Sequence, residues 1–311
     1  MSREIVILGV FVADTAYRAE RMPRIGETIL GSSFVLGPGG KGSNQAVAAA
    51  RAGGNVHFVT RLGKDPFADI ALETWKDAGV TPVVTRHGDS YTGAAFIFVD
   101  DKTGDNAIIV SPGAAREISA EDIEARRNLI EGASVLVTQL EQPIDAACRA
   151  LEIARDAGVR TILNPAPAAD LPSGMLSLCD FVTPNESEAE GITGIPVASV
   201  EDADRAAEAF LADGAGAAII TLGENGAFYK DASDAVHVPA VIAGEVVETT
   251  GAGDAFNGGF AAALAEGQAP VDAVRFACTA AGISVTRPGT APSMPSRREV
   301  ELLLADGTEG A

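Results

Sequence analysis

Two glycine-rich runs each open an alanine-rich stretch, and each carries one charged residue able to do chemistry. The first is Gly37-Pro-Gly-Gly-Lys-Gly-Ser-Asn44. Its glycines let the backbone approach a ligand closely, and a helix starting there presents unpaired N–H groups. Lys41 is followed by Gly42 instead of Ser or Thr, so this is not the P-loop form of phosphate cradle. A tight turn before a helix is the alternative reading. The second run is Glu248-Thr-Thr-Gly-Ala-Gly-Asp254-Ala-Phe-Asn-Gly258. Gly251, Ala252 and Gly253 can aim successive N–H groups at one anion, with the Asp254 carboxylate beside it in the first helical turn. A proton acceptor next to an anion hole suits group transfer. The alternative is a carboxylate that only favours a helix start. A dinucleotide fingerprint is excluded, because Phe256 holds the place of its third glycine.

These runs sit in an alternation of strand and helix patterns. Strands are expected at 5–10 and 56–62, and helices at 43–52 and 66–78. From residue 119 the alternation becomes regular: helix 120–131, strand 134–140, helix 144–157, strand 160–163, strand 180–183, helix 202–212 and strand 217–222. Helices at 253–265 and 271–286 follow. This is the rhythm of right-handed βαβ units around a mostly parallel sheet flanked by helices. Glu141, Asn164, Asn185 and the pair Thr221 and Gly223 each lie at the carboxyl end of such a strand, where open α/β sheets bind ligands. Segments 14–36 and 90–110 break the rhythm with short β-like runs and turns. They are expected to form a small separate sheet, a lid over about 12–36 and 90–112, on a single α/β domain covering 1–311. Trp75 lies on an amphipathic helix and is expected in the core.

Composition limits the partners. The net charge of −20 would repel a phosphate backbone, which argues against nucleic acid, although backbone N–H groups can still bind a nucleotide. With 47% hydrophobic but only 5% aromatic residues, small aliphatics must build a core of strands buried on both faces. Cys148, Cys179 and Cys278 fit neither a disulfide framework nor a metal set, and His57, His87 and His237 lack ligand spacing. The opening segment reads as a short strand instead of a secretory leader, and no apolar stretch reaches membrane-spanning length. The expectation is a cytoplasmic protein with no membrane partner.

In order and spacing the motifs resemble the ribokinase, or phosphofructokinase B, family of carbohydrate kinases. Gly39-Gly-Lys-Gly-Ser-Asn44-Gln-Ala, with Gly53 and Gly63 after it, is similar to the family's N-terminal signature, and Thr249-Thr-Gly-Ala-Gly-Asp254 to its C-terminal one. Between them lie Thr138-Gln-Leu-Glu141, Asn164-Pro-Ala-Pro167, Thr183-Pro-Asn-Glu-Ser-Glu188 and Thr221-Leu-Gly-Glu-Asn-Gly226. The resemblance implies a ribokinase-like fold and ATP-dependent phosphorylation of a sugar's primary hydroxyl, with D-ribose the leading acceptor. Asp254 would be the base, and Gly251, Ala252 and Gly253 the anion hole. Asp14, Gly40, Lys41, Asn44 and Glu141 would hold the sugar. Asn185 and Glu188 would organise magnesium and the phosphates, while Thr221, Gly223, Glu224, Gly226 and Cys278 would line the nucleotide site. Glu248, Thr250, Ser284, Arg287, Gly289 and Ser293 would form a potassium-binding loop. The lid would pair two subunits into a homodimer.

Three positions depart from the family pattern. Val12 replaces an asparagine that contacts the sugar, and losing one buried hydrogen-bond partner can change acceptor preference by orders of magnitude. Glu248 stands for an aspartate at the cation loop, and Cys278 for an asparagine near the base. The basic lid segment Tyr17-Arg18-Ala-Glu-Arg21-Met-Pro-Arg24 reads either as an attractor for an anionic acceptor or as an edge-strand guard. The other readings are the same chemistry on another sugar, nucleoside or sugar phosphate, and a sugar-binding protein without catalysis.

Overall fold

The computed structural model describes residues 3–86 and 88–308, so His87 lies outside the described residues. Strand β1 (Glu4–Leu8) leads into two strands of a smaller sheet, β2 (Val12–Ala19) and β3 (Ser33–Gly39). Helix α1 (Lys41–Arg51), β4 (Asn55–Leu62), α2 (Pro66–Ala78) and β5 (Thr81–Arg86) return to the main sheet. The smaller sheet is completed by β6 (Thr92–Asp100) and β7 (Asn106–Gly113). Next come α3 (Ala120–Glu124), α4 (Arg127–Glu131), β8 (Val135–Thr138), α5 (Ile144–Asp156) and β9 (Arg160–Leu163). They are followed by β10 (Phe181–Val182), α6 (Glu186–Thr193), α7 (Val200–Ala212) and β11 (Ala217–Thr221). A hairpin of β12 (Ala227–Asp231) and β13 (Ala235–Val238) precedes α8 (Ala252–Ala265), α9 (Pro270–Ser284) and α10 (Arg297–Thr308).

Local chemistry explains the sharpest boundaries. Helix α2 begins where the Asp65 side chain accepts from the Ala68 N–H, with Pro66 in its first turn, and ends at Gly79 in the left-handed region. The helix expected over 120–131 is instead two short helices. The N–H of Arg126 reaches back only to Ile123, and Arg126 leaves helical geometry at φ −113° and ψ 10°. No proline or glycine marks that break.

The main sheet runs β13-β12-β11-β10-β9-β8-β1-β4-β5, with β5 to β11 mutually parallel and the hairpin β12–β13 antiparallel at one edge. Its inner strands, such as β1, β8 and β11, are buried on both faces, while the edge strands β5 and β13 are largely exposed. Ile5, Ile7, Val135 and Val137 join the core beneath α1, α2, α8 and α9, while Val6, Leu8 and Leu136 join the core against α3, α5 and α7. Trp75 is fully buried between Phe11 and Phe58 and donates its ring N–H to Ser43. The chain leaves β1 toward β4 and β5 on one side, then returns to build β8 to β11 on the other. The strand order therefore reverses between β1 and β8, and the ends of these two strands form the crevice where such sheets bind ligands.

The expected lid is a sheet of its own, ordered β3-β2-β6-β7. β2 pairs in parallel with β6 across some eighty residues of chain, and each has an antiparallel neighbour. Tyr17, Phe34, Val35, Leu36, Ile108, Ile109 and Val110 are exposed on this sheet. Cys148, Cys179 and Cys278 are free thiols. No helix among the described residues is long and apolar enough to cross a membrane.

Candidate active site

Helices α1 and α8 both start at the crevice. Each follows a glycine whose positive φ a side-chain-bearing residue would adopt only with strain, 88° at Gly40 and 86° at Gly251. The first turn of α1 carries Lys41, Asn44 and Gln45, and that of α8 carries Asp254. The two helices are packed so closely that their polar residues meet. Asn44 Nδ2 donates to Asp254 Oδ2 at 3.0 Å, and Gln45 Nε2 donates to Asp254 Oδ1 at 3.1 Å. Both carboxylate oxygens are thus held by amides, and Asp254 is buried.

The electrostatics are those of crowded carboxylates around one lysine. Burial pushes the Asp254 carboxyl up from its ordinary value, while the Lys41 charge and the two amide bonds act the other way. Burial outweighs these three, so the group lies above the ordinary carboxylate range. Glu141 follows β8, and its Oε2 accepts the Lys41 N–H at 2.8 Å. Burial pushes it up to about 7, with Asp254 and Asp14 adding to the rise and Lys41 opposing it. Asp14, on β2, is pushed up to about 6 by burial and by Asp254. Asp14 pairs in register with Gly37, and a Cβ at Gly39 would lie 2.2 Å from its carboxylate. The lid thereby brings Asp14 against the first glycine run. Val12, two residues earlier and on the same face of β2, is buried among apolar side chains.

A cleft of about 150 Å³ opens at Lys41 and Asp254 and is lined also by Asn164, Ala166, Thr183, Asn185, Glu188, Thr221, Gly251, Gly253 and Asn257, while Asp14, Asn44 and Glu141 lie outside its lining. Asn185 and Glu188 form a reciprocal cap at the start of α6: Glu188 N–H donates to Asn185 Oδ1, and Asn185 N–H to Glu188 Oε2. Burial is the main cause of a raised Glu188 carboxyl. Asn257 ties α8 to the end of β10, accepting from Thr183 Oγ1 at 2.6 Å and donating to the Gly253 carbonyl at 2.8 Å.

The remaining expected residues lie further out. Gly223 and Glu224 form a short turn after β11, with Glu224 exposed. Gly226 is accounted for by packing alone, since a Cβ there would lie 2.1 Å from the Val238 carbonyl oxygen. Cys278 is buried in the core on α9. The loop residues expected to hold a cation gather beside the start of α8. Glu248 Oε2 accepts the Gly289 N–H at 2.8 Å, and the hydroxyls of Ser284 and Ser293 donate to the carbonyls of Ala281 and Thr290. The Arg287 guanidinium pairs with Glu299, so only its main chain could face a cation. Of the lid arginines, Arg21 is paired with Glu27, and the segment begins on β2, which is paired on both sides and so is not the edge strand that a guard would protect. Gln45, Gln139 and Asn257 were not singled out by sequence reasoning. The available signal was a polar residue on the buried face of a helix or just past a buried strand.

Residues 2–297 match the model of the pfkB family carbohydrate kinases. A ribokinase of Haemophilus influenzae is 37% identical over 300 residues, covering 96% of this chain and 97% of that protein. A deoxyribokinase of Salmonella typhi is 36% identical over 295 residues, covering 94% of this chain and 96% of that protein. The structure of Arabidopsis thaliana ribokinase complexed with ribose and ATP superposes with a TM-score of 0.91 at 32% identity, covering 98% of this chain and 99% of that one.

Proposed function

The chain belongs to the pfkB family of carbohydrate kinases, and from that premise we propose that it converts D-ribose and ATP to ribose 5-phosphate and ADP. The observation that carries this reading is the Asp254 carboxylate, held at both oxygens and two residues after the glycine-flanked start of α8. In the proposed reaction the sugar's primary hydroxyl oxygen forms a bond to the γ-phosphorus as the bridging bond to ADP breaks. Asp254 accepts the hydroxyl proton. The N–H groups of Gly251 and Gly253, joined by that of Ala252 once it leaves the Thr249 carbonyl it bonds here at 3.2 Å, would stabilise the charge on the transferred group, which in phosphoryl transfer matters more than a strong base. Asn44 Oδ1 is buried without a protein partner, which suits an acceptor awaiting a sugar hydroxyl. Asp14, Gly40, Lys41 and Glu141 complete the sugar side.

Asn185 and Glu188 supply oxygen atoms that suit magnesium held through water and phosphates. When bound, that ion would neutralise part of the phosphate charge. Thr221, which lines the cleft, and the turn residues Gly223 and Glu224 would face the nucleotide, while Gly226 would shape that turn and Cys278 back it from the core. The oxygens of Glu248, Thr250, Ser284 and Ser293, with the main chain of Arg287 and Gly289, suit potassium. That ion would add positive charge beside the anion hole. A reducing cytoplasm, with its ATP, is the proposed compartment. The exposed apolar residues of the lid sheet support a homodimer formed through it, and a monomer by light scattering would remove that assignment.

A second reading, the same chemistry on an acceptor lacking one hydroxyl, is favoured by Val12, whose side chain offers no hydrogen bond to the sugar. ADP release from MgATP should be measured across ribose, 2-deoxyribose, other sugars, nucleosides and sugar phosphates. Preference for ribose supports the first reading, and preference for 2-deoxyribose the second. No acceptor-dependent release, with and without potassium, would overturn both.

A further inference from the structure

Resting on that reading of Asp254 as base, we propose that Gln45 is a positioning residue for it, itself oriented by Gln139 and Asn164 through a one-way chain of buried amides. Gln45 and Gln139 are fully buried and Asn164 nearly so. Gln45 Nε2 has two acceptors, Asp254 Oδ1 at 3.1 Å and Asn164 Oδ1 at 3.0 Å, while Gln45 Oε1 accepts from Gln139 Nε2 at 2.6 Å. Asn164 Nδ2 in turn donates to the Thr183 carbonyl at 2.9 Å.

The chain has one sense. The Thr183 carbonyl can only accept, so it fixes which end of Asn164 faces Gln45. The carboxylate of Asp254 likewise requires a donor. If the Gln45 amide were reversed, its oxygen would face two acceptors, and Gln139 would meet its nitrogen with a donor. All three contacts of the Gln45 amide would then be mispaired among buried groups, where an unmatched polar atom is costly. Gln139 Oε1 has no protein partner and lies against the backbone of Gly9 and Gly42, where an added Cβ would come within 2.4 and 2.8 Å of it. Among the described residues, the one hydrogen bond of its side chain is the one that orients Gln45. With Asn44 on the other oxygen, Gln45 fixes the plane of the carboxylate. Asn44 remains on the sugar side, whereas Gln45 is fully buried and outside the cleft lining, and so acts through Asp254.

The groups facing Asp254 from the surrounding elements are Lys41 on α1, Asp14 on β2, Glu141 after β8 and Glu188 on α6. All remain in place when Gln45 is replaced, so a change in the pH profile reports the lost amide. The amide bond from Gln45 lowers the Asp254 carboxyl, so its loss must raise it.

The test is steady-state kinetics against pH for wild type, Gln45→Met, Gln139→Met and the double variant, with thermal melting to confirm folding. Gln45→Met keeps the volume and removes both donors. It is expected to lower kcat by about 10- to 100-fold with the sugar KM within about threefold of wild type. The acid limb of kcat/KM should move up by about one pH unit. Gln139→Met should give a smaller change of the same kind, and the double variant should be no worse than Gln45→Met, because both act through one carboxylate. Additive losses, or an unmoved acid limb, would overturn the proposal. If Gln45→Met does not fold, the acid limb of Gln139→Met decides alone, since it must also move upward. Turnover that survives Asp254→Asn would instead sink the reading of Asp254 as base. If no acceptor is found, carbon-13 NMR of labelled aspartates carries the test. Asp254 must then titrate higher in Gln45→Met than in wild type, and an unchanged titration refutes the inference.

Discussion

Replacing Gly258 by alanine tests whether the site depends on the close approach of α1 and α8. A Cβ at Gly258 would lie 2.4 Å from Ala48 Cβ and 2.7 Å from both Ala49 N and Gln45 O, whereas ordinary contact begins near 3.4 Å. None of these is the end of a flexible side chain, so relief requires the helices to separate by about 1 Å. The bonds from Asn44 and Gln45 to Asp254, now 3.0 and 3.1 Å, would then stretch toward 4 Å and be lost. Overpacking of this kind costs about 1–3 kcal/mol. The better helix propensity of alanine returns about 0.5–1 kcal/mol. The net loss of stability is thus small, while a base displaced by about 1 Å should lose about 100-fold in kcat. Gly259→Ala is the control. Its Cβ would lie 3.2 Å from Ala280 on α9, so a few tenths of an ångström suffice and neither helix bearing site residues need move relative to the other. Sugar-dependent ADP release and thermal melting of the two variants decide the matter. Gly258→Ala retaining more than about a third of wild-type kcat would refute the argument that helix spacing sets the geometry of the base.

Three further outcomes follow from the same geometry. Gly253 faces the cleft with nothing within 4 Å of an added Cβ, so Gly253→Ala should melt no lower than wild type yet lose at least about tenfold in kcat by obstructing the anion hole. Glu141, raised to about 7 from an ordinary 4.5, binds a proton in the folded state that the unfolded chain releases. It therefore contributes stability below about pH 4.5 that is lost as pH rises through 7. Denaturant unfolding of the ligand-free protein should show Glu141→Gln more stable than wild type by about 1–3 kcal/mol at pH 8 but not at pH 4.5, with an equal gap at both contradicting this. Potassium should raise kcat relative to an equal concentration of choline. Glu248→Ala, which also loses the bond to the Gly289 N–H, should abolish that stimulation.

How far the sequence foretells this arrangement depends on whether the signal is local. Helix α2 was readable to the residue because Asp65, Pro66 and Gly79 mark both its ends. The buried strands were readable from apolar runs, and the lid from its broken rhythm. The parallel pairing of β2 with β6 has no local signal, since it joins segments separated by several other elements. The edge hairpin β12–β13 was missed although Asp231 accepts from the N–H groups of Ser233 and Asp234 at its turn, a device that turn chemistry could have revealed. At the site, the glycine runs and Asp254 stood out by their spacing, but a tight turn and a helix-start charge fitted them equally, and their expected roles came from the family resemblance. Gln45 and Gln139 did not stand out, because their role arises only when α1, β8 and α8 meet. Nor could the sequence show that burial opposes the ionisation of Asp254, since desolvation is a property of the packed cleft.

The most direct test of the central claim is Asp254→Asn, with turnover measured by sugar-dependent ADP release and sugar binding by calorimetry. The account predicts a fall in kcat of about 10²- to 10⁴-fold, the usual contribution of a positioned general base, with sugar affinity changed far less. A variant that keeps more than about a tenth of wild-type kcat would show that Asp254 is not the base.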